Sequence, residues 1–253
     1  MLSKTQLDTF KKSGIWYTGV PSYDPTNHIS CMKSFLSRED LYKSDFLQTK
    51  LDTLFEGYSY LGQENSSNQY AEDQLFTYVL SDYFDQRLHA KEFYPIIKEQ
   101  QTLTAKIVEL ERELIAAISS DLLDFYDRYV SHSLSANFYP ANGKSELRLT
   151  EHPDGSLLTV FPFGMDHEFQ FETTEGSWHT IERTNEIVCF AGYLMELMTD
   201  IKSLNHKVCK EGHQNERFSF AYFSIPTPGS VFKIKGQEIS TESYFQKYLS
   251  LFS

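Results

Sequence analysis

His152-Pro153-Asp154 sets an imidazole and a carboxylate two residues apart. On an extended segment, side chains at i and i+2 leave from the same face, so this pair could share one metal ion. A further histidine on that side would complete two His and one carboxylate, the set that holds non-haem Fe(II) and leaves three positions open. The competing reading is a surface turn that happens to contain a His and an Asp. A second place for chemistry is Arg217 with Ser219. They stand on an alternating stretch and share a face with Ala221 and Phe223, while Phe218, Phe220 and Tyr222 take the other. An inward-facing arginine is costly unless a carboxylate answers it, either an internal Asp or Glu or a bound acid. A guanidinium fork suits a carboxylate in bidentate fashion, and an adjacent hydroxyl adds a further hydrogen bond.

The chain that must position these groups has 253 residues, enough for one large domain, or at most two small ones, with a substantial core. Aromatic residues make up 15%, which favours a sheet-rich core or an aromatic-lined pocket over disorder. The formal charge of −12 repels phosphate backbones and anionic lipid. No nucleic-acid partner and no membrane are therefore expected, and the protein is expected to be a monomer. No apolar run approaches the roughly 20 residues that span a bilayer, and residues 1–14 lack the apolar core of a signal peptide. Cys31, Cys189 and Cys209 are odd in number and lack metal-type spacing, so free thiols in a reducing, cytoplasmic setting are expected.

Two halves differ in period. Residues 1–130 read as mainly helical. Ser37 with Asp40 resembles a capping box, followed by Leu41, Leu47, Leu51 and Leu54. Leu103, Ile107, Leu110, Leu114 and Ile118 form one apolar stripe, and no Gly or Pro punctuates the stretch from 96 to 139. One strand interrupts this half, at 15–20. From about residue 135 the period is two: Leu147 and Leu149, Phe169 and Phe171, and the run 217–223 alternate. Apolar runs at 157–163 and 187–191 read as buried strands. Asn142-Gly143, Asp154-Gly155, Gly164, Gly176 and Gly212 supply turns. Short strands so punctuated suggest a β-sandwich or jelly roll flanked by the N-terminal helices, an α+β arrangement. A final helix from about Thr241 packs Tyr244, Phe245, Tyr248 and Leu249. The expected layout is one domain over 1–253, with a jelly-roll core at 135–235 and the C-terminal helix at 240–253.

The company the first motif keeps is more specific than the motif. Asn205-His206-Lys207-Val208, followed by Arg217-Phe218-Ser219, resembles the distal half of the isopenicillin N synthase-like family of 2-oxoglutarate/Fe(II) dioxygenases. In that family a His before a hydrophobic residue precedes an Arg-x-Ser by about ten residues. The interval of 54 residues from His152 to His206 suits the family. Asn137-Phe138-Tyr139-Pro140 is similar to its Asn-x-Tyr-Pro stretch. Gly176-Ser177-Trp178 and the 187–192 strand ending at Gly192 are similar to its Gly-x-Trp and apolar-Gly elements. The match is tight over 135–226 and looser at Gly14-Ile15-Trp16 and Gly57-Tyr58. HPD is also the signature of J-domains, where it follows a basic helix. Here residues 146–151 alternate like a strand and are not basic, so that reading is set aside.

The resemblance implies a double-stranded β-helix core, Fe(II) held by His152, Asp154 and His206, and 2-oxoglutarate and O₂ as cosubstrates. Arg217 and Ser219 would take the C5 carboxylate of 2-oxoglutarate, and Asn137 and Tyr139 would lie near the end that chelates the iron. The implied reaction hydroxylates or desaturates a small-molecule metabolite and releases CO₂ and succinate. Alternatives on the same scaffold are an iron oxidase that does not consume 2-oxoglutarate, of the isopenicillin N synthase or ACC oxidase kind, and an inactive jelly-roll binding module. Pro153 departs from the family's usual small or polar middle residue. Lacking an N–H, it requires a strand that is at an edge or already turning. Histidines 28, 89, 132, 167, 179 and 213 show no ligand pattern, and packing or solvated roles are expected for them.

Overall fold

In the computed structural model, residues 2–51, 55–60, 74–141, 147–181, 184–209 and 215–252 are described. The strands are β1 (Ile15–Pro21), β2 (Gly57–Ser59), β3 (Phe76–Ser81), β4 (Val130–Tyr139), β5 (Leu147–His152), β6 (Leu158–Phe161) and β7 (Phe169–Glu172). They continue with β8 (Trp178–Thr180), β9 (Glu186–Ala191), β10 (His206–Cys209), β11 (Arg217–Pro226), β12 (Val231–Ile234) and β13 (Gln237–Ser240). These strands pair antiparallel throughout. A seven-stranded sheet runs β1-β9-β6-β11-β4-β3-β2, a four-stranded sheet runs β5-β10-β7-β8, and β12 and β13 form a hairpin.

Alternation along the large sheet divides the apolar side chains between two cores. On β11, Phe220 and Tyr222 join the cluster beneath the helices, while Ala221 joins the one between the sheets. On β9, Ile187, Cys189 and Ala191 face the helices, and Val188 and Phe190 face the smaller sheet. Because both faces are covered, β9 reads as a continuous apolar run rather than an alternating one.

The helices are α1 (Lys4–Ser13), α2 (Thr26–Leu36), the short α3 (Asp40–Lys43) and α4 (Gln48–Leu51), α5 (Tyr94–Ile118), α6 (Ser120–Tyr129), α7 (Tyr193–Met198) and α8 (Thr241–Leu249). The stripe expected around residues 103–118 is the buried face of α5, with Leu103, Ile107, Leu110 and Leu114 all inside. Its continuity breaks at Ser119, whose extended backbone ends α5 and whose hydroxyl accepts from Leu122 N–H to cap α6. Among the described residues, no helix is long and apolar enough to cross a membrane.

Several local expectations fail. Ser37 is no N-cap: it closes α2, and its hydroxyl donates to Ser34 O at 2.8 Å, while the next helix starts after Glu39 without a side-chain cap. Leu41 is 81% exposed, and Leu249 is 54% exposed despite its place in an apolar helix pattern. The first half holds two strands, β2 and β3, beyond the one expected. β3 is buried on both faces along Thr77–Ser81, so it carries no alternation to read. Leu54, Asn142-Gly143, Gly212 and His213 lie outside the described residues.

A buried polar staple ties α5 to the sheet. Glu111, 1% exposed, accepts from Tyr126 Oη at 2.7 Å, from the Ser224 hydroxyl, and from His132 Nε2 at 2.9 Å. The other nitrogen of His132 stands 3.4 Å from Asp82 Oδ2. Burial pulls the His132 pKa down, but hydrogen bonds and charge from Asp82 and Glu111 outweigh burial and raise it to about 9. A histidine whose folded pKa lies above its unfolded value of about 6.5 stabilises the fold fully below that value. The contribution fades as pH rises through the folded value. The melting temperature should therefore fall between pH 6.5 and 9, and His132→Gln should melt lower at pH 6.5 with a flatter profile. Parallel profiles for the two proteins would remove His132 from the linkage.

Candidate metal centre

β5 and β10 pair so that His206 lies opposite His152, which brings the two imidazoles to 4.6 Å between ring centroids. His152 closes β5, and β5 is the edge strand of the smaller sheet, so Pro153 interrupts no ladder. The chain turns there and returns the Asp154 carboxylate towards the imidazoles. Asp154 Oδ1 stands 3.5 Å from His152 Nε2 and 3.8 Å from His206 Nε2. One donor atom from each residue falls within 4.8 Å of the others, and all three residues are buried. Cis ligands with bonds of about 2.0–2.2 Å stand roughly 3 Å apart, so a small closure brings the set to bonding distance.

Each imidazole is oriented from behind. His152 Nδ1 lies 2.8 Å from Thr150 O, and His206 Nδ1 lies 3.1 Å from Leu204 O. A proton on each Nδ1 leaves the Nε2 lone pair facing Asp154. Burial draws the His206 pKa down to about 4, against the opposing pull of Asp154, so this imidazole is neutral at neutral pH. For Asp154, burial works against ionisation, yet His206, His152 and Thr159 outweigh it and hold the carboxyl below its usual range. Thr159 Oγ1 donates to Asp154 Oδ2 at 2.7 Å and shares a hydrogen bond with Ser156 Oγ at 2.8 Å. That relay fixes Oδ2 and leaves Oδ1 turned to the histidines.

The turn itself is clamped. Tyr248 Oη donates to Pro153 O at 2.6 Å, and Tyr244 Oη donates to Gly155 O at 2.7 Å, both from α8. Tyr193 N–H donates to Asp154 O at 2.7 Å from the start of α7. Gly192, just before it, packs against Ser156 so closely that a Cβ would fall inside contact with the Ser156 carbonyl oxygen and hydroxyl.

The three donors open on a cavity of about 240 Å³ between the sheets. Arg217, Ser219, Ala221, Phe223 and Ile225 contribute the inward face of β11, as alternation requires. β4 sets Tyr139 opposite Arg217 and Asn137 opposite Ser219, so the four residues expected at the cosubstrate end form two cross-strand pairs. The Arg217 guanidinium lies 4.9 Å from the centroid of the Tyr139 ring. Its Nε donates to Asp166 Oδ1 and Oδ2 at 3.1 and 2.8 Å, with Glu168 Oε2 at 3.6 Å. An internal acid thus answers part of this arginine. Nη1 is nevertheless buried and makes no hydrogen bond among the described residues. Arg148, 2% exposed, pairs with Glu168 at 2.9 Å and donates to the carbonyls of Tyr139, Pro140 and Asn215. It therefore fixes the ends of β4 and β11 against each other.

The residues singled out from sequence all line this one cavity: His152, Asp154, His206, Arg217, Ser219, Asn137 and Tyr139. Sequence reasoning missed Thr159, Asp166, Glu168 and Arg148. Thr159 did leave a trace, as the one polar residue inside the apolar run 157–161. Of the other histidines, His167 and His179 are exposed, as expected. His89 and His132 are instead buried opposite acids, Glu56 for the first and Glu111 with Asp82 for the second. His28 is buried between Phe163 and Phe220.

Residues 130–226, the span that holds every one of these site residues, match the family model of the 2OG-Fe(II) oxygenase superfamily. No curated protein matches the chain in sequence. Among solved structures, the fold is similar to that of a full-length Neurospora crassa protein crystallised in complex with alpha-KG. That comparison has a TM-score of 0.71 at 20% identity and covers 99% of this chain and 90% of that one. A putative 2OG-Fe(II) oxygenase family protein from Caulobacter crescentus is similar at TM-score 0.72 and 16% identity, covering 98% and 93%. The dioxygenase for auxin oxidation from Arabidopsis thaliana, as its 2-oxoglutarate complex, is similar at 0.68 and 15%, covering 95% and 93%. The family match covers residues 130–226 of the chain, and the isopenicillin N synthase-like resemblance fits it. The core of the chain is a jelly roll, and the matched span is similar to oxygenases described by their Fe(II) and 2-oxoglutarate dependence.

Gly192→Ala should push α7 and the Ser156–Thr159–Asp154 relay apart and destabilise the fold by about 1–3 kcal/mol, the usual range for overpacking. Urea unfolding measures it, and an unchanged midpoint would show that the close approach at Ser156 is dispensable.

Proposed function

We propose that His152, Asp154 and His206 hold the Fe(II), and that Arg217, Ser219, Asn137 and Tyr139 receive 2-oxoglutarate, so that the enzyme hydroxylates or desaturates a small molecule. The observation that carries this reading is the buried Nη1 of Arg217, unanswered among the described residues, on a side chain that lines the same cavity as the three donors. Buried donors are nearly always satisfied, and a buried guanidinium edge calls for an anion. Two imidazoles and one carboxylate form a donor set that suits Fe(II) and leaves coordination positions open.

Bound Fe(II) supplies activation of O₂ coupled to oxidative decarboxylation of 2-oxoglutarate to succinate and CO₂. The chain's own residues bind, orient and exclude water. Thr150 and Leu204 carbonyls set the imidazole tautomers, and Thr159 sets the carboxylate. Phe169 stacks on His206 with ring centroids 5.0 Å apart and shields it from water. Arg217 anchors the far carboxylate of the 2-oxo acid, with the Ser219 hydroxyl beside it. Asp154 fills the position at which a halide would otherwise bind, which favours oxygenation or desaturation over halogenation. Cys31 and Cys189 are buried thiols outside any disulfide, in keeping with a reducing, cytoplasmic setting.

An iron oxidase that does without 2-oxoglutarate has no use for the free edge of Arg217, so this residue separates the two readings. Arg217→Ala should weaken 2-oxoglutarate binding by about 100-fold or more in anaerobic calorimetry, the equivalent of losing a charge-assisted fork. Unchanged affinity would mean a different cosubstrate. Thr159→Val keeps the ligands but frees Asp154 Oδ2, and should lower Fe(II) affinity by about 10–100-fold. Wild-type metal affinity in that variant would remove Thr159 from the site.

A further inference from the structure

Resting on that functional reading, the far end of the same cavity defines what the enzyme oxidises. The inward face of β11 spans about 26 Å from Arg217 to Ile225, at about 3.3 Å per residue. Arg217 occupies one end. The segment after the Asp154 turn meets β11 near the other, where Leu157 N–H donates to Ser224 O at 2.7 Å. There the wall is aromatic. Phe245 and Tyr248 share one face of α8, and both pack on Gly155, beside Asp154. A Cβ on Gly155 would stand 3.0 Å from the Tyr248 ring and 3.2 Å from that of Phe245. Phe55 meets Phe245 edge to face, 4.7 Å between centroids at 79°.

Among the described residues, the polar side chains on this side other than Asp154 are uncharged. The Tyr248 hydroxyl is engaged by Pro153 O, so Tyr248 offers the cavity its ring rather than its hydroxyl. Gln48 donates its amide N–H to Phe55 O at 3.1 Å, which fixes both residues in the wall and sets one primary amide in it. Ser133, Ser135 and Thr77 add hydroxyls from the sheet. Among the described residues, the lysine or arginine lining the cavity is Arg217, which is at the opposite end and already faces Asp166. Leu249, 54% exposed, lines the same space, so the cavity reaches solvent beside α8.

We propose that the primary substrate presents an uncharged aromatic or heteroaromatic ring, packed among Phe55, Phe245 and Tyr248 and hydrogen-bonded by Gln48, with the carbon to be oxidised turned towards Asp154. Rings gain from edge-to-face and offset contacts with such walls beyond the area they bury. A carboxylate pressed onto the same surface loses its hydration with no cation to replace it. An ammonium group is the sharper rival, because aromatic faces attract cations.

The test uses the full chain loaded with Fe(II) and 2-oxoglutarate without O₂. Calorimetric binding is compared for three probes on one ring: 4-methylbenzamide, 4-methylbenzoate and 4-methylbenzylammonium. The amide should bind at least about ten-fold tighter than either charged probe. Phe245→Leu, which keeps bulk but loses the ring, should weaken the amide probe by about ten-fold while 2-oxoglutarate affinity stays within about two-fold. Gln48→Glu should move preference towards the ammonium probe. Equal or tighter binding of a charged probe to the wild type overturns the proposal. So does a failure of the amide to bind, or a Phe245→Leu protein that binds it as well as wild type. Failure of 2-oxoglutarate to bind at the outset would instead sink the cosubstrate reading, so the two failures are distinct.

Discussion

A slip of one residue between β5 and β10 would turn one imidazole of the His152–His206 pair out of the cavity, because side chains alternate along a strand. The register that prevents it is imposed from both sides of β10. His206 pairs with His152 on β5 and with Phe171 on β7, and Val208 pairs with Phe169. Phe169 then lies nearly flat on the His206 ring. The apolar packing between the sheets therefore decides where the donors stand. Asp154 depends on the same register, since the turn that returns it begins where β5 ends.

The ladder between β4 and β11 performs the corresponding task for the anion end. Ten consecutive pairs, from Arg217 with Tyr139 to Pro226 with Val130, leave no freedom to shift. Arg148 and Glu168 lock the open end of that ladder from the smaller sheet. A buried arginine with a single partner would be a liability, because breaking the pair strands a charge. Here Arg217, Arg148, Asp166 and Glu168 form a set of two cations and two acids, neutral before any ligand arrives. Asp166 takes Nε and pins the plane of the Arg217 guanidinium, and Nη1, without a hydrogen bond among the described residues, is the group that the proposed function assigns to an incoming carboxylate. Rigid presentation of that edge lowers the ordering cost of binding.

How much of this was legible in sequence follows from where each signal originates. The donors and the Arg-x-Ser were readable because chemistry fixes their identity and strand geometry fixes their spacing. β11 was readable because its inward face mixes Arg217 and Ser219 with small and aromatic residues, so the period of two survives. β3 was not, since burial on both faces makes Thr77 to Ser81 uniformly interior. The apparent cap at Ser37 misled because its residue type suits an N-cap, whereas here its hydroxyl donates back to Ser34 O at the close of α2, and only the backbone distinguishes the two ends. Asp166, Glu168 and Arg148 act through partners far away in sequence, and nothing in their local pattern marks them. The same holds for His132, whose partners Asp82 and Glu111 come from two other parts of the chain.

The C-terminal helix joins these constraints. The amphipathic pattern near Thr241 suggested a packed helix, but not that two of its tyrosines hydrogen-bond the backbone of the Asp154 turn. Tyr244 and Tyr248 are four residues apart, about one helical turn, and their acceptors Gly155 O and Pro153 O are two residues apart on the Asp154 turn. One helix face thereby grips both sides of Asp154. That face also carries Phe245 and Tyr248 into the cavity. The element that steadies the carboxylate is thus the one that shapes the space beyond it. A change at Tyr248 that alters the shape of the cavity also releases Pro153 O, so selectivity and the metal centre cannot vary independently through that residue. Phe55 and Gln48 line the cavity from the N-terminal half, away from the turn, and they are the positions at which the wall can change while the metal centre keeps its geometry.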